Sequence, residues 1–110
     1  MKNSEIAQAF SQGIKAENSN KSFYVENVNG VIIAFSYGNH FPIAIKFKDG
    51  CLFNSCGYSN TTSRHKSLIL ATINDLTDED FLRTEDLKQI VEKVRYSDLT
   101  SKAEIIEQKI

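Results

Sequence analysis

The chain has no long hydrophobic run. No stretch approaches the ~18–20 consecutive apolar residues that cross a bilayer, and after Met1 the sequence turns polar at once with Lys2-Asn3-Ser4-Glu5. No membrane association and no secretory segment are expected, and the expected location is cytoplasmic. A large excess of one charge is also missing. Thirteen Lys and Arg stand against fourteen Asp and Glu, a net −1, which excludes a uniformly basic coat for nucleic acid. Cysteine is scarce, with only Cys51 and Cys56. With no secretory segment expected, these are expected to be reduced and packed. C-x4-C is not a common zinc spacing, even with His40 and His65 to complete the ligands, so no metal and no cofactor is expected. At 110 residues, 41% hydrophobic and 25% charged, the composition suits a single globular domain over 1–110. It does not suit a disordered, collagenous or coiled-coil chain.

The near-neutral total conceals a division. Residues 1–74 carry seven basic and four acidic side chains, +3, whereas residues 75–110 carry six and ten, −4. Distribution, more than the sum, decides which partner approaches which face.

Ile6, Phe10 and Ile14 recur every fourth residue and predict a helix over 4–16. Asn29-Gly30, between Val28 and Val31, is the strongest local signal. The pair accepts positive φ at both centres of a type I′ turn, so residues 22–28 and 31–37 form a hairpin with Val28 facing Val31 and Tyr24 facing Phe35. Ile43, Ile45 and Phe47 alternate with Ala44, Lys46 and Lys48 as a half-buried strand, which Pro42 enters. Asp49-Gly50 turns that strand into Cys51–Cys56, pairing Leu52 with Phe47 and Phe53 with Lys46. The two hairpins make a four-stranded antiparallel meander whose Ile43/Ile45/Phe47/Leu52 face needs helices across it. Helices are predicted from Thr62 or Ser63 to about Asn74, and from Thr84 to Arg95. A last one follows a capping box of Ser101 and Glu104. The expected class is α+β: an N-terminal helix, the meander, and C-terminal helices packed on one face.

Two polar-aromatic clusters end strands. Ser36-Tyr37-Gly38-Asn39-His40-Phe41-Pro42 joins the hairpins, and Gly57-Tyr58-Ser59-Asn60-Thr61-Thr62-Ser63-Arg64-His65-Lys66 leads into a helix. In a simple meander both lie at the same edge, which makes them neighbours. A helix start offers unpaired amides and a positive dipole end to an anion. Thr61, Thr62 and Ser63 add hydroxyls there, and Arg64, His65 and Lys66 add cationic or protonatable groups. Tyr37, Phe41 and Tyr58 offer faces on which a base could stack, and His40 stands in a Gly-Asn loop where a core role is unusual. Together Tyr37, His40, Tyr58, Thr61, Thr62, Ser63, Arg64, His65 and Lys66 suit a phosphate-bearing ligand or nucleic acid. The plainer reading is that Thr-Thr-Ser caps a helix and that His65, on the Ile69/Ile73 stripe, packs in the core. Two histidines beside a cation could also cleave a phosphodiester without metal, although nothing in their spacing is specific to that chemistry. A helix, antiparallel strands and a helix with basic residues at its start offer an analogy to double-stranded-RNA-binding domains.

The pair Ser36-Tyr37-Gly38-Asn39-His40-Phe41-Pro42-Ile43-Ala44 and Tyr58-Ser59-Asn60-Thr61-Thr62-Ser63-Arg64-His65 resembles a pattern in small uncharacterised proteins of bacteriophages and mobile elements. The resemblance spans roughly residues 22–75. It implies a phage-type accessory role, and such proteins include anti-defence inhibitors of CRISPR nucleases. For an inhibitor the acidic end would be the working surface: Asp75, Asp78, Glu79, Asp80, Glu85 and Asp86 against Arg83 alone could imitate phosphates to a host defence protein. Acidic residues also favour first helical turns for their own sake.

Overall fold

In the computed structural model, which describes residues 2–37, 41–57, 59–96 and 100–109 and side chains as far as Ile105, Asn29 and Gly30 adopt φ +54 and +87. That turn joins β2 (Phe23–Val28) to β3 (Val31–Ser36), with Val28 opposite Val31 and Tyr24 opposite Phe35, the register its chemistry dictates. β3 continues antiparallel to β4 (Phe41–Phe47), and β4 to β5 (Gly50–Asn54). The second hairpin differs from expectation by two residues. Its turn is Lys48-Asp49, Phe47 pairs with Gly50, and Leu52 therefore opposes Ile45 and Phe53 opposes Ala44. Gly50 makes this possible by taking φ +146 immediately after the turn.

The hairpin signals predict four antiparallel strands; among the described residues the sheet has six and is mixed. A two-residue β1 (Ala16–Glu17) pairs antiparallel with β2. At the other edge β6 (Phe81–Leu82) runs parallel to β5, reached through α2 (Asn60–Leu70), a strand–helix–strand crossover. Two residues carry no readable alternation, which is why neither edge strand announces itself in sequence.

Helices cover both faces of the sheet, not one. The first face packs α2 and α1 (Asn3–Gln12), through Ile6, Phe10 and Ile69, on Phe23, Val25, Ala34, Ile43 and Phe53. The second packs α3 (Thr84–Tyr96) and α4 (Lys102–Lys109), through Leu87, Ile90, Val94 and Ile105, on Ile33, Phe35, Ile45, Phe47 and Leu52. The expected Ile43/Ile45/Phe47/Leu52 face is thus divided. A bulge puts Ile43 opposite the step from Ala34 to Phe35, so Ala34 pairs with Ala44 and Phe35 with Pro42. The extra residue reverses the alternation, sending Phe41 and Ile43 to the α1/α2 side.

Helix ends follow local chemistry. α1 stops at Gln12, short of the predicted 16, because Gly13 enters the left-handed region at φ +73 and returns its amide to Ala9 and Phe10. α4 is capped from across the fold. The Asp49 carboxylate accepts the Lys102 amide at 2.8 Å, the Ala103 amide at 3.1 Å and the Ser101 hydroxyl at 3.1 Å. These bonds hold the Asp49 carboxyl below its ordinary pKa against the opposing effect of burial.

Candidate functional site

Ser36, Phe23 and His65 converge where β3 ends and α2 begins. Ser36 follows Ile32 and Ala34 in strand phase and so points at the α1/α2 layer, opposite Phe23. His65, one turn into α2, is 1% exposed and stacks on Phe23 with ring centroids 4.3 Å apart and planes at 8°. Its Nδ1 lies 2.8 Å from the Ser36 hydroxyl, which in turn lies 3.2 Å from the hydroxyl of buried Thr62. Burial pushes the His65 pKa down, so the neutral ring is the form that packs.

The same chain of hydroxyls reaches the start of α2. Ser59 caps the helix, its Oγ accepting the Thr62 amide at 3.1 Å and donating to the Thr62 hydroxyl at 3.1 Å. Tyr37, at φ +57 in a region unusual for a non-glycine residue, places its phenol against the hydroxyls of Thr61 and Ser59. Those hydrogen bonds, Thr61 first, hold its pKa below the ordinary tyrosine value. The ends of the two sequence clusters therefore meet, as the meander geometry predicts. His40 and Tyr58 lie outside the described residues.

The remaining expected site residues separate into three groups. Thr61, Ser63 and Arg64 are exposed on the first turn of α2. Thr62 and His65 are buried beneath it, and Thr62 is linked outward by its hydrogen bond from Ser59. Lys66 is turned toward β5: its Nζ donates to the Cys56 carbonyl at 2.8 Å and sits 5.6 Å from the Phe53 ring centroid. Ser36 and Ser59 are absent from the expected set. Ser36 was detectable as the one polar residue in the inward phase of β3, and Ser59 as a serine three residues before Thr62.

Dipole compensation sets this helix start apart. α1 has Glu5 in its first turn, α3 has Glu85 and Asp86, and α4 has Glu104, but α2 has no acidic residue there. The Thr62 amide goes to the cap and the Ser63 amide to the Ser59 carbonyl. Among the described residues, the amides of Asn60 and Thr61 have no acceptor, and both residues are exposed.

The acidic residues differ in burial and in partners. Asp80 is buried in a 3-10 turn (Asp78–Asp80), where it accepts the Thr77 amide at 2.9 Å and pairs with Lys102 at 2.6 Å. Glu85 lies 3.7 Å from Arg83, both exposed. Asp75, Asp78 and Glu79 are exposed and Asp86 is half-buried. Among the described residues, no group of three His, Cys, Asp or Glu side chains could hold a metal ion, and no helix is long and apolar enough to cross a membrane.

Both cysteines are free thiols in contrasting settings. Burial raises the Cys51 pKa, whereas hydrogen bonds from the Thr84 amide and hydroxyl at the start of α3 lower that of Cys56. Iodoacetamide at neutral pH is expected to label Cys56 first, read by peptide mass analysis over time; equal or reversed rates would contradict this assignment.

Fold and site together define an α+β protein with a mixed sheet between two helical layers and an uncompensated helix start at one sheet end. The chain belongs to DUF8033, a family of unknown function, which matches residues 14–93 and so takes in the sheet, α2 and most of α3. No curated protein and no solved structure matches it.

Proposed function

We propose that the chain is a small non-catalytic accessory protein that binds a phosphate-bearing ligand, nucleic acid included, at the start of α2. The observation that carries this reading is the pair of exposed, unpartnered amides at Asn60 and Thr61, at a helix start with no acidic first-turn residue and with Arg64 beside it. Thr61 and Ser63 supply further donors, Tyr37 an aromatic wall, and Arg64 a bidentate fork. His65 serves by position, fixing α2 to β3 through Ser36 and to β2 through Phe23 so that the amides face outward. A ring spent on that packing suits a binding role better than acid–base cleavage, which needs the imidazole at the substrate. The resemblance to phage and mobile-element proteins supplies the setting of an accessory factor.

Fluorescence anisotropy with a labelled single-stranded RNA oligonucleotide tests this. Binding should weaken steeply as salt rises, and Arg64→Ala should weaken it by roughly tenfold with no change in thermal stability. Absence of binding at low salt, or binding indifferent to both salt and Arg64→Ala, would refute the proposal.

A further inference from the structure

Beyond the far end of α2 lies a cleft of about 460 Å³, between the last turn of α1, the β4–β5 hairpin and residues 72–75. That volume falls within the ~300–1,000 Å³ of small-molecule sites. Its floor carries a cation in an unusual place. Lys46 is half-buried in β4 beside its cross-strand partner Cys51, on the side of the sheet otherwise given to Ala44 and Phe53.

Lys46 Nζ donates to the Ser11 carbonyl at 2.7 Å, which uses one of its three N–H groups. Among the described residues no carboxylate lies within ion-pairing distance of it, and no second acceptor. A half-buried ammonium with spare donors is costly unless an anion or water completes it. Nearby charges are already committed: Asp49 to the amides of α4, and Lys102 to Asp80. What remains around the cleft is Lys46 and exposed Lys48 against Asp75.

The geometry points to this cleft as a binding site for a small hydroxylated organic anion, a phosphate or a carboxylate. Lys46 takes the anionic group, Lys48 closes the mouth over it, and Asn74 and Asp75 meet the hydroxyls. The site lies at the opposite end of α2 from the proposed nucleic-acid contact and stands independently of it.

Backbone amide shifts of the ¹⁵N-labelled full chain, titrated with ribose 5-phosphate, glycerol 3-phosphate and citrate, test the assignment and separate the two anion classes. At least one compound should shift the Lys46, Cys51 and Asn74 amides saturably. Lys46→Gln should weaken that binding by roughly tenfold. Exposed Lys48→Gln, which cannot disturb packing, should weaken it by a smaller factor. Arg64→Ala should leave it intact, so failure here and failure at α2 are distinguishable. No response to any of the three compounds, a response unchanged in both lysine variants, or an equal response to inorganic phosphate alone would overturn the inference.

Discussion

His65→Ala is expected to destabilise the protein by about 3 kcal/mol, the scale of deleting a buried ring. The loss combines the cavity left against Phe23 with removal of the Ser36 hydroxyl's imidazole partner. Thr62 still engages Ser36 and keeps the cost from rising further. Arg64→Ala, one residue away and exposed, should change stability by no more than about 0.5 kcal/mol. Urea unfolding at pH 8 measures both; equal effects would mean that His65 does not anchor α2.

The same ring fixes a pH dependence. Burial lowers its folded pKa below the ordinary 6.5 of the unfolded chain. Between those two values the unfolded state binds more protons, so stability falls as pH drops from about 6.5 through the folded value. His65→Leu removes this component, and the wild-type curve should be the steeper of the two between pH 7 and 5. Parallel curves would contradict a buried neutral histidine.

Asp80→Ala is the second large effect, about 2–4 kcal/mol. It leaves Lys102, whose side chain is 18% exposed, without the carboxylate that pairs with it at 2.6 Å, and it opens the Thr77 turn. The Lys102 and Thr77 bonds hold the Asp80 pKa below 3.8 although burial opposes them. Its contribution is therefore complete above that value and is lost as pH falls through the folded one. Glu26→Ala, which breaks the more open Arg95–Glu26 pair at 32% and 24% side-chain exposure, should cost about 1 kcal/mol or less. In a double-mutant cycle, Lys102→Met should recover much of the Asp80→Ala loss, since an uncompensated cation is the main penalty. A cycle without recovery would place the penalty in the Thr77 turn instead. Asp80 holds the fold together, and so contributes little as a surface for an acidic-helix partner.

Where sequence and structure agree, the cause is local chemistry. Asn29-Gly30 determines its hairpin because few pairs accept positive φ twice, and Thr84–Tyr96 follows its helical stripe of Leu87, Ile90, Val91 and Val94. The departures are tertiary. The bulge at Ile43 arises between strands and leaves no mark in either one. The covering of both faces was legible in Val31-Ile32-Ile33-Ala34-Phe35, a run without polar alternation and buried throughout. Asp49 capping α4 joins residues more than fifty positions apart, and no spacing rule reaches that far. At the site, sequence named the exposed Thr61, Ser63 and Arg64 but began the helix at Thr62 or Ser63 and ran it to about Asn74, whereas the Ser59 cap starts α2 at Asn60 and it ends at Leu70. Thr62 and His65, placed with the ligand-facing set, are buried instead; the Ile69/Ile73 stripe already carried the packed reading for His65, whereas nothing local marked Thr62 as inward.

In the proposed function, α2 begins with amides placed to receive an anion, held there by His65, Ser36 and Ser59. Titrating the ¹⁵N-labelled protein with inorganic phosphate and following backbone amide shifts tests it most directly. Saturable shifts concentrated at Asn60, Thr61 and Ser63, reduced by added salt and lost in Arg64→Ala, are expected. Shifts absent from that turn, or spread over the surface without saturation, would contradict it.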